Sequence, residues 1–319
     1  MGLEVIQPGL VSTVQDGGRT GYRAFGVPLG GAFDRGSAEL ANALLGNPPG
    51  LAVLEMTLIG GTYEARVPLA LALAGAPFIA TIRCVDGRES SITVPRCFPL
   101  EGGDRLILGR SSRGARAYMA VLGGWQTPVV LGSRSNESPL SRGDVLPCRP
   151  GWTPVRYPDP VDFLFAATSP ALLRVIDGPD IACLGDKGLD DSRIYRVGTQ
   201  CDRMGLRLEG RSWEVVSDPD RVSTPLTPGA IQAAGGRPLV LGVACGTMGG
   251  YPHVAHVISA DLDRLGQVRP GDAVRFERVT LAEARVWDRE ALIVSAARRA
   301  RIATAAGDRP FGVAPGTSD

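Results

Sequence analysis

The sequence predicts a mainly β protein made of two related β-barrel lobes with a few short helices. Glycine and proline are abundant, with 42 and 25 copies among 319 residues, and they separate many short apolar runs. Short apolar runs bounded by turn residues are typical of the strands of a sandwich or barrel. The runs that we predict as strands are residues 51–58, 69–74, 91–94, 106–108, 117–122, 172–176 and 239–244.

Two helices are predicted among these strands. Ser37 can cap the first helix, Leu40 lies on its apolar face, and Gly46 follows its end. The second helix is predicted from about Leu281 to Arg301.

A weak internal repeat predicts that the two lobes are related. Several short motifs recur in the same order in both halves, and the inference depends on that order because any single match can arise by chance. The recurring pairs are residues 3–9 with 173–179, Asp34-Arg35 with Asp202-Arg203, 60–61 with 235–236, and Gly103-Asp104 with Gly271-Asp272. We therefore expect an N-terminal lobe at 1–165, a C-terminal lobe at 166–290, and a helical end with a flexible tail at 291–319.

The composition excludes several classes of function. A net charge of +1 provides no general field for binding nucleic acid or an anionic membrane. No apolar run is long enough to cross a bilayer, and the first ten residues lack the apolar segment of a signal peptide. Because the six cysteines form no C-x-x-C pair, we expect a cytoplasmic protein with reduced thiols.

Lysine and histidine are scarce, which limits cofactor chemistry. Lys187 is the only lysine, so any lysine-linked cofactor would have to use it. His253 and His256 are the only histidines, and two such ligands without neighbouring acidic or thiol side chains make a poor metal site. We therefore expect no metal ion. The sequence also lacks a G-x-x-x-x-G-K-S/T motif, which excludes a Walker-type ATP site.

A glycine-rich loop that begins at Gln15 carries the first candidate binding residues. Glycines allow backbone N–H groups to approach an anion, and Arg19 could hold a carboxylate or phosphate with two hydrogen bonds. The alternative is a tight turn with a local ion pair between Asp16 and Arg19.

Two acidic residues lie beside or within apolar segments. Asp34 precedes the first predicted helix, where it could bind a substrate N–H or a cation, or cap the helix. Glu55 lies within the apolar run 51–58, and burying an unpaired carboxylate costs several kcal/mol. Glu55 is therefore either a general base with a raised pKa or the structural partner of an arginine.

Three motifs, in this order along the chain, resemble one family. Residues 8–19, 201–208 and 246–252 are similar to blocks of the family that contains biotin-dependent carboxyltransferases and the C-type subunits of 5-oxoprolinase. That family is also described as allophanate hydrolase subunit 2, urea amidolyase-related or Kip-inhibitor antagonist-like. The resemblance extends from Val5 to Phe276, and it implies that both lobes are cyclophilin-like β-barrels.

The resemblance implies a component of a multi-protein enzyme. The expected function is that of the C-type subunit in an ATP-dependent 5-oxoprolinase, which opens pyroglutamate to glutamate together with a separate A-type and a Kip-inhibitor-like B-type subunit. ATP would act through the assembled complex. One alternative is a biotin-dependent carboxyltransferase that acts on urea or a similar amide. Another is a non-catalytic regulatory partner of a Kip-inhibitor-like protein.

The resemblance also implies roles for individual residues. Both enzymatic interpretations activate an unreactive amide or lactam, which requires polar clamps and donors for a developing oxyanion. The residues implied in catalysis are Asp34, Glu55 and Asp202. Those implied in substrate binding are Gln15, Asp16, Arg19, Arg203, Gln232, Gly249, Gly250 and Tyr251.

The chain departs from the family motifs at several positions. Gly30, Phe33 and Cys201 stand where family members usually carry serine, methionine and serine. Residues 244–248 lack the acid and two of the Gln-Thr-Thr side chains that usually precede the paired glycines, since Gly246 and Met248 flank Thr247. These departures indicate an altered substrate or a loss of activity, which keeps the regulatory interpretation open.

Overall fold

The computed structural model describes residues 2–156, 168–187, 189–216 and 220–305. Residues 157–167, which include the predicted boundary between the lobes, lie outside the described residues, as do the side chain of Lys187 and residues 306–319 of the predicted tail. The chain forms two compact units. Unit 1 comprises Met1–Gly17, Arg35–Phe165 and Ser295–Asp319, and unit 2 comprises Gly18–Asp34 and Ala166–Val294. The segment 18–34 therefore belongs to the same unit as most of the C-terminal half, and the predicted lobe boundaries stay predictions.

Unit 1 contains two antiparallel sheets that share one apolar core. Its strands are β1 (Gly2–Gln7), β2 (Val11–Gln15), β3 (Val53–Thr57), β4 (Thr62–Ala65), β5 (Leu69–Gly75), β6 (Phe78–Arg83), β7 (Glu89–Ile92), β8 (Arg96–Leu100), β9 (Arg105–Ser111), β10 (Arg116–Val121) and β11 (Val145–Pro147). One sheet has the order β11-β1-β4-β9-β6-β7 and the other β2-β3-β10-β5-β8. Leu3 and Tyr63 from the first sheet and Leu54 and Met119 from the second lie in the shared core.

Unit 2 contains a closed seven-stranded barrel in the order β12-β19-β16-β17-β14-β13-β20. The strands of this unit are β12 (Ala171–Asp177), β13 (Ile194–Cys201), β14 (Gly205–Glu209), β15 (Thr224–Pro225), β16 (Ala230–Ala234), β17 (Arg237–Leu241), β18 (Met248–Gly249), β19 (His253–Val257) and β20 (Ala273–Arg278). β12 and β20 are parallel, β15 and β18 form a separate two-stranded ladder, and the other pairs are antiparallel. The prediction of a mainly β protein with few helices is confirmed, and unit 2 has the predicted barrel architecture, whereas unit 1 has two sheets.

Three α-helices complete the described structure: α1 (Arg35–Leu44), α2 (Leu262–Gly266) and α3 (Leu281–Thr304). α1 packs against β5 and β10, which explains why these two strands are apolar and buried on both faces rather than alternating. The prediction that Ser37 caps α1 is wrong, because the helix begins two residues earlier, directly after Asp34. The predicted second helix is confirmed as α3, where Thr280 and Glu283 form a capping box. None of the described helices is long and apolar enough to cross a membrane.

One of the repeated sequence pairs occupies the same turn in both units. The Asp104 carboxylate accepts a hydrogen bond from the backbone N–H of Glu101 at 2.9 Å. The Asp272 carboxylate accepts the equivalent bond from Arg269 at 2.9 Å. In each case a strand begins directly after the aspartate. The carboxylate accepts a backbone N–H that lies before the strand and has no partner in its ladder.

Candidate functional site

In unit 2, the segment 18–34 is fastened to the barrel by backbone and guanidinium hydrogen bonds. The N–H of Gly30 donates to the Val243 carbonyl at 2.9 Å. Nη2 of the buried Arg203 donates to the Gly31 carbonyl at 2.7 Å. Gly30 and Gly31 have φ angles of +63° and +85°, which glycine adopts without strain. A residue with a side chain at position 30 would be strained in this conformation.

Asp34 is held at the end of this segment by a side chain that sequence reasoning missed. Its carboxylate is only 5% exposed and accepts a hydrogen bond from Gln267 Nε2 at 2.6 Å. Phe33 is buried in the barrel core, so its aromatic ring serves packing. Gln267 follows α2 directly, and nothing in its local sequence indicates this contact, which joins residues 233 positions apart.

The Cys201–Gly205 motif forms the turn between β13 and β14. The exposed Asp202 carboxylate accepts hydrogen bonds from the backbone N–H groups of Met204 and Gly205 at 2.7 and 3.2 Å. Asp202 thus fixes the turn that places Arg203 in the interior. Its predicted catalytic role stays a prediction.

Gln232 ties the glycine-rich segment 246–252 to the barrel. The buried amide donates from Nε2 to the Tyr251 carbonyl at 3.0 Å, while the Tyr251 side chain is 49% exposed. A Cβ atom at Gly249 would overlap Leu226 Cδ1 and lie 2.8 Å from Gln232 Nε2, whereas a Cβ at Gly250 would come no closer than 3.8 Å to Ser223 Oγ. A side chain at position 249 would therefore displace the buried ends of Leu226 and Gln232, whereas position 250 has room for one.

We expect Gly249→Ala to destabilise the protein by about 1–3 kcal/mol, the usual effect of overpacking. Gly250→Ala is the matched control, and its free energy of unfolding should stay within about 0.5 kcal/mol of the parent. Urea unfolding gives the free energy of unfolding of both variants and of the parent protein. Equal losses of stability would contradict the packing explanation.

Cys245 and Arg23 lie together in unit 2. Burial raises the pKa of the Cys245 thiol, and the nearby positive charge of Arg23 opposes that shift. Arg23 Nη1 is buried and has no hydrogen-bond partner among the described residues. The raised pKa makes Cys245 a poor nucleophile.

Arg23 was not among the sequence candidates, although it lies close to the glycine-rich loop that begins at Gln15. Arg19 contributes a backbone hydrogen bond to Leu29 within the same segment.

In unit 1, Asp16 joins the first motif to a segment far along the chain. Its carboxylate accepts from the hydroxyls of Ser133 and Ser135 at 2.6 Å each, and from the backbone N–H of Arg134 at 2.6 Å. The 133–135 segment was not identified from the sequence, because no local pattern relates residues that are more than 100 positions apart. These contacts give Asp16 a structural role that neither sequence interpretation included.

Gln15 is fully buried and its amide orientation is fixed. Nε2 donates to Thr13 Oγ1 and to the Asn136 carbonyl, both at 3.0 Å. A carbonyl oxygen only accepts, so the amide cannot be flipped without losing the bond to Asn136. Its Oε1 atom is buried without a hydrogen-bond partner among the described residues.

Glu55 also lies in unit 1, where it forms the structural ion pair that the sequence left open. Its Oε1 lies 3.3 Å from Arg116 Nε, and Oε2 accepts a hydrogen bond from Tyr118 Oη at 2.9 Å. Both partners are on β10, and Tyr118 is directly opposite Glu55 in the ladder. Glu55 and Arg116 are both buried, so the pair is shielded from water.

The two units thus divide the predicted site residues between them. Unit 2 contains segments 18–34 and 246–252 together with Asp202, Arg203 and Gln232, while Gln15, Asp16 and Glu55 belong to unit 1. No group of three or more His, Cys, Asp or Glu side chains in the described parts of the chain is arranged to hold a metal ion.

The comparisons with known proteins identify a carboxyltransferase-type protein. The carboxyltransferase domain family, subdomain A and B, matches residues 25–278, and the chain belongs to this family. The chain is 32% identical to the C subunit of 5-oxoprolinase from Escherichia coli (strain K12), over 88% of this chain and 93% of that protein. It is 30% identical to urea amidolyase of Lachancea kluyveri, over 88% of this chain but 17% of that protein.

Solved structures show the same architecture. The crystal structure of TTHA0988 is 35% identical and has a TM-score of 0.71, with 86% of this chain and 56% of that chain covered. The Kluyveromyces lactis urea carboxylase is 26% identical and has a TM-score of 0.78, with 99% of this chain and 32% of that chain covered. The chain therefore spans about half of the first and a third of the second.

Proposed function

We propose that this chain acts as the C-type subunit of an ATP-dependent 5-oxoprolinase, which opens pyroglutamate to glutamate. The observation that carries this proposal is the match to two proteins named as the C subunit of 5-oxoprolinase, of which it covers 93% and 90%. The urea amidolyase matches cover 17% and 16% of much longer chains. In the proposed complex, this cytoplasmic chain joins a separate A-type and a Kip-inhibitor-like B-type partner, and ATP is used by the assembly.

The proposed substrate-binding groups lie in unit 2. The predicted substrate-binding role of Gln15, which is fully buried in unit 1, stays a prediction. Arg203 and the Arg19 segment are the proposed carboxylate-binding groups, Asp34 is the proposed acid–base group, and Gly250 and Tyr251 are proposed to line the approach to the ligand.

The second candidate is biotin-dependent carboxyl transfer to urea or a similar amide. The observation that favours it is the structural match to urea carboxylase over 99% of this chain. Lys187 is the only lysine in the sequence, and in this candidate function carboxybiotin comes from another protein or segment.

Reconstitution with candidate A-type and B-type partners tests the proposal. We expect ATP-dependent release of glutamate from pyroglutamate only when all three proteins are present. Arg203→Ala should weaken pyroglutamate binding by about 1.5–3 kcal/mol, the range for hydrogen bonds to charged groups. The melting temperature of the same variant shows whether the loss reflects folding.

The other outcomes are distinct. Turnover that requires urea and carboxybiotin, without lactam opening, would support the second candidate. Stable binding to the B-type partner without either reaction would indicate the regulatory interpretation. Separate elution of this chain from both candidate partners in size-exclusion chromatography would contradict the proposed complex.

A further inference from the structure

The two histidines of the chain are brought together by a β-bulge. Residues three apart on a regular strand point to opposite faces. On β19, however, Val254 is the extra residue, because Ile231 pairs with Ala255 while the adjacent Gln232 pairs with His253. The bulge places His253 Nε2 3.3 Å from His256 Nδ1, with both side chains half-buried.

One ring nitrogen of His256 faces the backbone. His256 Nε2 lies 3.2 Å from the Cβ position of Gly229, and His256 Nδ1 is the nitrogen that faces His253 Nε2. A neutral imidazole has one N–H, and its other nitrogen carries a lone pair. When each ring carries its proton on the outer nitrogen, His253 Nε2 and His256 Nδ1 both present lone pairs.

Two facing lone pairs attract a cation, and their separation fits a metal ion. Zinc binds imidazole nitrogen at about 2.0–2.1 Å with tetrahedral angles, which puts two ligating nitrogens about 3.3–3.4 Å apart. The observed 3.3 Å matches this span. Carbonyl acceptors on the other ring nitrogen are also the usual support of metal-binding histidines.

We propose that His253 and His256 form a two-histidine chelate for a divalent late transition-metal ion such as Zn²⁺, with water completing its coordination. Imidazole suits Zn²⁺, Ni²⁺ and Cu²⁺ better than Mg²⁺ or Ca²⁺. With two protein ligands, the ion exchanges with solvent rather than holding the fold together. His253 directly follows the 246–252 segment, so a bound ion restrains the end of that segment. This proposal does not depend on the proposed function.

Zinc titration of protein without a histidine tag tests the site, because the chain then contains only these two imidazoles. We expect saturable binding of one Zn²⁺, with the NMR signals of both imidazoles shifting together. His253→Ala and His256→Ala should each weaken binding at least tenfold. A Cys84→Ser/Cys183→Ser/Cys201→Ser variant, which removes the partly exposed thiols, should bind as the parent does.

The competing arrangement is a hydrogen-bond relay in which His256 donates from Nδ1 to His253 and accepts from Thr227 Oγ1, 3.5 Å from Nε2. A relay predicts no shift of the imidazole signals up to about 1 mM Zn²⁺, and that result would overturn the proposal. So would parent-like affinity in both histidine variants. The titration of the parent protein decides the matter even if a variant does not fold.

Discussion

Glu55→Ala is expected to destabilise the protein by about 3–5 kcal/mol, because it removes one partner of a buried ion pair. The side chains of Glu55 and Arg116 are 1% and 6% exposed. The variant also removes the acceptor of the Tyr118 hydroxyl. Urea unfolding monitored by fluorescence gives the free energy of unfolding of both proteins.

Glu89→Ala is the matched control for burial. Glu89 on β7 forms an ion pair with Arg83 on β6, with 2.6 Å between Oε1 and Nε, and both side chains are about half exposed. The buried pair has a longer separation of 3.3 Å. An exposed pair contributes at most about 1 kcal/mol. We therefore expect Glu55→Ala to lose more stability than Glu89→Ala, because burial matters more than the distance between the charges. Glu55→Met/Arg116→Met should recover much of the lost stability. If Glu55→Ala loses no more than Glu89→Ala, the structural role of Glu55 is wrong.

Glu55→Gln separates the structural from the catalytic hypothesis. The amide can still accept the Tyr118 hydrogen bond, but it cannot act as a general base. Activity that survives in proportion to folded protein indicates a structural role. A well-folded variant whose kcat falls about a hundredfold or more would restore the general-base hypothesis.

Local patterns predicted some of the strands and two of the three described helices. The run 51–58 contains β3, the run 69–74 contains most of β5, and the helix predicted from 281 to 301 is observed at Leu281–Thr304. These elements depend on turn residues and side-chain periodicity, which are readable within a few positions. The prediction at Ser37 was wrong because a serine can either cap a helix or lie in its first turn. The residues around Ser37 do not distinguish these two positions.

Long-range partners could not be predicted. Asp16 binds a segment 117–119 residues away, and Asp34 binds Gln267 from 233 residues away. Likewise, segment 18–34 belongs to unit 2 although it lies between strands and a helix of unit 1 in the sequence. These placements depend on how distant elements pack, which no window of sequence contains.

The histidine pair shows a different limit. Spacing of three residues indicates a shared face only in a helix, so a strand at 253–257 would normally separate the two rings. In β19 a single bulged residue, Val254, brings the two rings to the same side of the strand. Bulges depend on the register of the partner strand, and the sequence of β19 alone does not reveal them.

Asp261→Ala is expected to have an effect as large as Glu55→Ala, about 3–5 kcal/mol. Asp261 is fully buried and accepts three hydrogen bonds from Arg174, from the backbone N–H at 2.8 Å, Nε at 2.9 Å and Nη2 at 2.6 Å. The Arg174 guanidinium carbon also lies 4.3 Å from the centre of the Trp287 ring. The variant would leave this charge beside an aromatic ring without its carboxylate.

Asp177→Ala provides a control on the same strand as Arg174. Asp177 accepts two hydrogen bonds from Arg278, at 2.9 and 2.6 Å, but both side chains are more than 40% exposed. We expect a loss of no more than about 1 kcal/mol.

Asp261 directly precedes α2, which is followed by Gln267, the hydrogen-bond partner of Asp34. Its loss should therefore also lower the activity of the reconstituted complex, whereas Asp177→Ala should not. Equal stability losses in the two variants would show that the buried pair contributes no more than a surface one.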